Sequence, residues 1–262
     1  MDLAAYYRRI GFTEGGTDTE RLQRVHRAHI THIPFENLDV YNGGVISVKG
    51  EDVFRKLVTE GRGGYCFEMN RLLCDGLNAM GIPCYGVLAR CSRGEAGFGG
   101  HSHRMNLAVA DGVRYVCDVG FGGDCFVDPL RLELELEQES HGQVYRIVKH
   151  EQVQYAVQIK KNGAFSDMLG FDDIPALEED FEQSNFYTNC HPTSGFRSMI
   201  MLNRFTETGR RSMFNLFLTK EEGGEVTRSV VPWAELPGVL AAEFGLHAMP
   251  EREPAPLPGM GG

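Results

Sequence analysis

The chain has no Cys-x-x-Cys pair and no regular cysteine spacing, although it carries seven cysteines in 262 residues. An odd, irregular set does not read as a disulfide framework. Without paired cysteines no structural zinc or other resident metal is expected. No apolar run approaches the ~18 residues of a membrane-spanning helix, so no membrane partner is expected. The opening residues, Met1 to Arg9, lack the basic start and apolar stretch of an export signal. The thiols are therefore expected to be reduced and the protein cytoplasmic. Positive charge is also in short supply, with 26 Lys and Arg against 36 Asp and Glu and a net charge of −10. That excludes the basic face a nucleic acid requires. An anionic ligand would have to be held by local backbone amides and a few arginines.

What remains is an ordinary globular composition, 42% apolar and 24% charged. The length allows two or three packed units. Leu3, Tyr6, Tyr7 and Ile10 predict a short helix stopped by Gly11. Thr17 and Glu20 form a capping box for a second helix, through Leu22, Val25 and His29, that cannot pass Pro34. Val53, Phe54, Leu57 and Val58 predict a third, ending near Gly61.

The stretch Gly61 to Asn70 then stands out. A glycine-rich turn runs into a helical pattern in which Cys66, Met69, Leu73, Leu77 and Met80 share one buried stripe, with Glu68, Asn70, Asp75 and Asn78 off it. Cys66 falls in the first turn, where free amides and the helix dipole favour a thiolate. Gly63 and Gly64 would let a substrate come close to the backbone. The plain alternative is that Cys66 is a small buried hydrophobe.

From Cys84 the pattern changes to period two, which predicts strands. Tyr85 to Ala89 is one. Gly94 to Gly100, with four glycines, reads as a mobile loop. Asp111-Gly112 marks a hairpin. Leu132, Leu134 and Leu136 alternate with Glu133, Glu135 and Glu137, and Val153, Tyr155, Val157 and Ile159 alternate as cleanly. Short antiparallel strands of this kind suggest a small barrel or sandwich. Met199 to Phe205 predicts a further strand. Met213 to Leu218 and Glu225 to Val231 predict a hairpin about Gly223-Gly224. Trp233 to Phe244 predicts a helix stopped by Gly245. The tail from Pro250 reads as disordered.

If Asp111-Gly112 is a two-residue loop, Ala110 faces Val113 and the pairing runs outward until Met105 faces Asp118 and His103 faces Gly120. His103 and Asp118 then lie on one face as diagonal neighbours, a base and an acceptor within reach of each other. A cysteine nucleophile requires such a base and orienting group. His101 would share the face, one step farther away, and Asp124 lies beyond the Gly122-Gly123 break. A surface His–Asp pair is the plain reading, and a metal site from His101, His103 and Asp118 is a third, although it lacks an evident further ligand.

Arg62-Gly63-Gly64-Tyr65-Cys66-Phe67-Glu68-Met69-Asn70 resembles the nucleophile motif of the arylamine N-acetyltransferases. Ser102-His103 with Leu107 resembles their histidine motif, and Asp118-Val119-Gly120-Phe121-Gly122 their aspartate motif. Ile33 to Leu38, Asn185 to Thr188 and His191 to Phe196 are similar as well, so the likeness spans residues 33 to 196 in order. The resemblance implies an α+β fold with an N-terminal helical bundle (1–84), a central antiparallel β-barrel (85–196) and a C-terminal α/β lid (197–262), around a core of the transglutaminase/cysteine-protease kind.

The resemblance further implies ping-pong acetyl transfer from acetyl-CoA, through an acetylated Cys66, to arylamines, arylhydrazines or N-hydroxyarylamines. Neutral arylamines suit this role because they are unprotonated near pH 7. His103 would deprotonate Cys66, and Asp118 would orient His103. Phe35, Phe121 and Phe196 would line an apolar acceptor pocket, and Ser102, Gly120 and Gly122 would border the acyl site. Glu36 and Arg62 would pair to hold the glycine turn. A monomer or weak homo-oligomer is expected. Asn106, where an aliphatic residue is usual, and His101 and Arg104, which make the surroundings of His103 more polar, depart from the pattern. Rival readings are a transglutaminase-like amidase or cysteine protease, an amide synthase using a carrier-protein thioester, and a module whose Cys66 is merely buried.

Overall fold

The structure, a computed structural model, describes residues 1–255. Helix α1 (Leu3–Ile10) is capped by the Asp2 carboxylate and ends on Gly11 in the left-handed conformation, as its spacing predicts. Helix α2 (Asp18–His32) opens with the expected Thr17/Glu20 capping box. It ends before Pro34, and the chain then forms a short strand, β1 (Phe35–Glu36), and a single turn, α3 (Leu38–Tyr41). Helix α4 (Gly50–Phe54) runs into a π-helical turn at Arg55–Thr59.

Helix α5 (Cys66–Ala79) departs from the amphipathic expectation. Ten of its 14 residues are buried, among them Glu68 and Asn70, which the stripe left on the polar side. The reason is position. Helices α1, α2 and α4 cover one side of α5, and two strands of the main sheet cover the other. A helix enclosed in this way keeps only a narrow outer strip, at Arg71, Asp75, Asn78 and Ala79, so Glu68 and Asn70 fall inside.

The main sheet holds β2 (Cys84–Ser92), β3 (Phe98–Ala110), β4 (Val113–Cys117), β5 (Leu130–Arg131), β6 (Gln138–Ser140), β7 (Gln143–Val148), β8 (Tyr155–Lys161) and β9 (Ala164–Phe171). Its eight strands run in the order β5-β4-β3-β2-β9-β8-β7-β6, all antiparallel and nearly closed into a barrel. The two outer strands meet through a side chain: Gln138 accepts from Arg131 N (2.8 Å) and donates to Arg131 O (3.0 Å). Val87, Met105, Leu107, Tyr145, Val157 and Leu169 fill one core, while Ala108, Ala110 and Cys117 face the helices.

The hairpin register is the expected one. Ala110 pairs with Val113, and the ladder runs to Asn106 opposite Cys117. Asp111 (φ 47) and Gly112 (φ 75) supply the two positive φ angles that a type I′ turn requires.

Two expectations for this region fail. Gly94–Ala96 form a 3₁₀ turn, and Phe98 to Gly100 already belong to β3 rather than to a loop. The Leu–Glu alternation from Leu132 to Glu137 makes no continuous strand. Glu135 takes a left-handed φ of 62, which interrupts the extended chain, and Leu134 is 44% exposed.

Helix α6 (Glu178–Cys190) was not legible in the sequence. Three of its four buried residues, Asn185, Thr188 and Asn189, are polar, so hydrophobic periodicity carries no signal there. A second antiparallel sheet follows, made of β10 (Met201–Phe205), β11 (Gly209–Phe214), β12 (Phe217–Glu222) and β13 (Glu225–Val230), with β1 added at its edge beside β10. The expected strand Met213 to Leu218 is in fact a turn between two strands, with Asn215 at φ 50. The Gly223-Gly224 hairpin is present.

Trp233 to Phe244 is helical throughout, with α7 (Leu236–Val239) at its centre, and stops at Gly245 in the left-handed region. The first part of the expected disordered tail is packed. Glu251 N donates to Asn42 Oδ1 (2.8 Å), Asn215 Nδ2 donates to Ala255 O (2.8 Å), and the Arg252 guanidinium lies 4.5 Å from the centre of the Tyr41 ring. The remainder, 256–262, lies outside the described residues.

Because the Asp111-Gly112 turn sets the register of β3 against β4, Gly112→Val should lower unfolding free energy by ~1–2 kcal/mol, since a β-branched residue is strained at positive φ. Urea denaturation of the purified variant measures this.

Candidate active site

Cys66 opens α5, and the chain reaches it through a turn clamped on its own backbone. Glu68 Oε2 accepts from Tyr65 N (3.1 Å), closing the helix start. Glu36 N donates to Gly64 O (2.9 Å), and Gly64 N donates to Pro34 O (3.3 Å). A Cβ at Gly63 would overlap the Pro34 carbonyl, and one at Gly64 would meet the Glu68 side chain. These glycines thus admit the protein's own Pro34–Glu36 segment and Glu68, not a substrate as their composition suggested.

A charged chain beneath the turn holds it. Arg62 reaches both Glu36 (2.7 Å) and Asp39 (2.8 Å), and Lys56 reaches both Asp39 (2.8 Å) and the buried Glu68 (2.8 Å). Glu36 also accepts from Leu38 N (2.8 Å). The expected Glu36–Arg62 pair is therefore one end of a five-residue network. Burial raises the Glu68 carboxyl even though Lys56 opposes it.

Asp118 lies one residue past the end of β4, fully buried. Its Oδ2 is 2.6 Å from His103 Nε2. Its Oδ1 accepts from Asn70 Nδ2 (2.8 Å) and from Gly120 N (2.9 Å), and its backbone N–H donates to His26 Nε2 (3.1 Å). Since His26 accepts there, its proton is on Nδ1, which donates to Val127 O (2.7 Å). Burial lowers the His26 imidazole pKa and keeps the ring neutral.

With Nε2 turned to Asp118, the other nitrogen of His103 is left for Cys66. Burial works against a charge on His103, but Asp118, and after it Cys66, by charge and hydrogen bonding, hold the imidazole well above its ordinary range. Burial likewise works against the Asp118 carboxylate, and the His103 charge and the hydrogen bonds from His103, Asn70 and Gly120 bring it below the ordinary range. Cys66, His103 and Asp118 are 3%, 3% and 0% exposed, so the interaction between them is little screened by water.

Asn70 is the residue that sequence reasoning missed. It lies one helical turn after Cys66, on the same side of α5. Besides Asp118 it donates to Arg104 O (2.6 Å) and accepts from Val119 N (3.0 Å), while its carbonyl accepts from Asn106 Nδ2 (2.8 Å). Asn106, out of place in an apolar strand, thereby ties β3 to α5. His26 was also missed, because it lies 92 residues from Asp118 and carries no local motif.

His101 does not join the site. Ala89 pairs with His103 and Arg90 with His101, so Ser102 is the extra residue of a β-bulge, and His101 turns out to the exposed surface. Arg104 also points away from the site, since neighbours along a strand face opposite sides of the sheet.

The other motif residues gather at the same end. Phe121 meets His103 edge-on, with ring centres 5.7 Å apart. Phe196 lies 6.4 Å from Phe35 and 5.8 Å from Tyr65. Gly122 (φ 80) abuts Phe35, and Gly120 lies so close that a Cβ would come within 2.7 Å of Cys66 Cα. Ser102, next to His103 in the chain, is partly buried.

Buried asparagines position these rings. Asn37 Nδ2 donates to Phe196 O (2.9 Å) and Met199 O (2.7 Å). Asn185 on α6 accepts the Tyr65 hydroxyl and donates to Ile46 O (2.9 Å).

A family model described as N-acetyltransferase matches residues 18–251. The arylamine N-acetyltransferase / N-hydroxyarylamine O-acetyltransferase of Salmonella typhimurium is 32% identical over 252 residues, 93% of this chain and 88% of that protein. The solved structure of an arylamine N-acetyltransferase from Salmonella typhimurium overlays with a TM-score of 0.89 at 29% identity, covering 97% of this chain and 94% of that one. The arylamine N-acetyltransferase of Mycobacterium marinum in complex with CoA overlays with a TM-score of 0.85 at 26% identity, covering 94% and 93%. Fold and sequence together define an acyl-transfer enzyme of the N-acetyltransferase class. The chain belongs to the arylamine N-acetyltransferase family.

Two outcomes follow from the charged groups. The depressed Asp118 pKa stabilises the fold above the ordinary carboxylate range, a contribution lost as pH falls through the depressed value. The raised His103 pKa stabilises it below the ordinary imidazole value of about 6.5, a contribution lost as pH rises through the raised value. The stability gap between wild type and Asp118→Asn should therefore be widest at about pH 5–6 and shrink on both sides, as read from urea midpoints across pH 3–10. Arg62→Ala should lower unfolding free energy by about 3 kcal/mol, because it leaves the buried Glu36 without its cation. The folded fraction should keep the wild-type alkylation rate at Cys66.

Proposed function

We propose that this protein transfers acetyl from acetyl-CoA to arylamines, arylhydrazines or N-hydroxyarylamines, with Cys66 as nucleophile, His103 as base and Asp118 as its orienting group. The observation that carries this reading is the buried 2.6 Å contact of His103 with Asp118, on a ring whose remaining nitrogen is free for the first residue of α5. Family membership supports the reaction class, and the CoA complex of the Mycobacterium marinum relative supports the donor.

In the first half-reaction His103 takes the Cys66 proton, and the thiolate attacks the acetyl carbonyl. As the tetrahedral intermediate collapses, the bond to the CoA sulfur breaks, and His103 returns its proton to that sulfur. Cys66 is then acetylated. In the second half-reaction the neutral amine attacks the thioester, His103 removes the amine proton, and the bond to Cys66 breaks to restore the thiolate. Asp118 stabilises the imidazolium at both stages and is not itself protonated. Phe35, Phe121 and Phe196 are assigned to the acceptor pocket, where their rings would face an aromatic amine. Ser102, Gly120 and Gly122 are assigned to the border of the acyl site. Gly120 supports this role because its missing side chain leaves the Cys66 backbone uncovered.

The seven cysteines are all free thiols, which suits a reducing cytoplasm. Among the described residues no helix is long and apolar enough to cross a membrane.

The decisive experiment is intact mass and peptide mapping after brief incubation with acetyl-CoA, followed by an arylamine chase. One acetyl group on Cys66 that leaves with the amine is expected, and Cys66→Ala should lose turnover while keeping its fold. An unmodified Cys66 on folded protein would overturn the acetyl-CoA donor, and labelling by a carrier-bound thioester instead would identify an amide synthase.

A further inference from the structure

Arg104 is 2% exposed, yet its Nε and Nη1 have no hydrogen-bond partner. An unpaired buried guanidinium is costly, so what faces it matters. Its carbon Cζ lies 4.0 Å from the centre of the Phe181 ring on α6, and Gly86 leaves room beneath it. The strand register identifies the rest of this face. Directly paired residues share a face, as do alternate residues along a strand. Cys84 pairs with Ala108, Leu88 with Arg104 and Asn106 with Cys117, so Arg104, Cys84 and Cys117 all lie on the helix-facing side.

Helix α5 covers that side. Asn70 donates to the Arg104 carbonyl (2.6 Å), and Cys74 lies one turn farther along the same side of the helix. Asn78 bridges the two nearer cysteines. Its Nδ2 lies 3.6 Å from Cys74 Sγ and donates to Cys84 O (2.9 Å), while its Oδ1 accepts from Cys84 N (3.0 Å).

We propose that Cys74, Cys84 and Arg104 form a second thiol site, separate from Cys66, at which small peroxides convert the Cys74–Cys84 pair into a disulfide. The two thiols are poised differently. A hydrogen bond from Cys84 lowers the Cys74 thiol, burial opposes it, and the Arg104 charge lowers it further. Burial, and then Cys74, push Cys84 well up. Burial also raises Cys117, the third thiol of this face. Cys74 is therefore the attacking sulfur, and Cys84 remains a protonated donor beside it.

The chemistry balances in two steps. The Cys74 thiolate attacks one peroxide oxygen, an S–O bond forms as the O–O bond breaks, and the departing hydroxide takes a proton to become water. The Cys84 sulfur then attacks the Cys74 sulfur, an S–S bond forms as the S–O bond breaks, and the leaving hydroxide takes the Cys84 proton as a second water. Two thiols are oxidised by two electrons and one hydrogen peroxide is reduced.

The test uses the reduced full chain, treated with hydrogen peroxide, quenched with iodoacetamide and digested without reductant. A pair of peptides joined through Cys74 and Cys84 and released by dithiothreitol is expected. In Cys84→Ser, dimedone should label Cys74 instead. Arg104→Leu should oxidise at least ~10-fold more slowly at Cys74, because the thiolate loses its cation. Cys74 and Cys84 both recovered as alkylated free thiols, while peroxide modifies other cysteines, would overturn the site. Linkage of Cys74 to Cys117 would overturn the assignment of Cys84. Both readings come from the wild-type chain and stand whether or not either variant folds.

Discussion

A carboxylate with no exposure is affordable only if its oxygens are fully engaged, and Asp118 meets that condition through His103, Asn70 and Gly120. Much of the molecule follows from those three contacts. Asn70 fixes α5 against β3 and so fixes where Cys66 begins the helix. Gly120 must be glycine because the same turn passes over the Cys66 backbone. His26 must stay neutral, since its Nε2 is the acceptor for the Asp118 amide. The polar cluster is thus the joint between the helical region and the barrel-like sheet, and the proposed chemistry uses that joint instead of a separately built pocket.

The second constraint is charge beneath the glycine turn. Glu36 and Glu68 are almost completely buried, and each is paired with a cation, Glu36 with Arg62 and Glu68 with Lys56. Their positions come from β1, the π-helical turn after α4, the glycine turn and α5. One network therefore ties four local segments to a single approach path into Cys66. Strand β1 also carries this order into the C-terminal sheet, where Phe35 pairs with Asn203. Asn37 extends the same principle to the loop that carries Phe196, and Asn185 and Asn189 extend it to the segment 44–46. In each case a buried amide satisfies backbone groups that no regular ladder reaches.

Legibility followed the range of the interactions. Caps and turns depend on residues three or four apart, so the α1 stop at Gly11, the Thr17/Glu20 box and the Asp111-Gly112 hairpin were all readable. The hairpin was enough to bring His103 and Asp118 onto one face, although the ladder stops at Cys117 and the last step is made by side chains. Reading failed where burial was polar or where a backbone irregularity intervened. Helix α6 hides asparagine and threonine, α5 buries Glu68 and Asn70 along with its apolar stripe, and Glu135 and Asn215 break alternating patterns with left-handed backbone. The bulge at Ser102 separated His101 from His103 for the same reason.

By itself the sequence determined the family, the nucleophile motif, the strand pair that carries the His and Asp residues, and most helix ends, because each is written in short spacings and in the conformational demands of Gly, Pro, Asp and Asn. Only the tertiary structure decided that Asn70 and His26 hold Asp118, that Gly63 and Gly64 receive the protein's own Pro34–Glu36 segment and Glu68, that a five-residue charge network supports the turn, and that Arg104 lies on the helix-facing side of the sheet with Cys84 and Cys117, away from His103. The physical reason is that these are side-chain contacts between segments tens of residues apart. Their geometry is set by how α5 docks on the sheet, and no local periodicity records it.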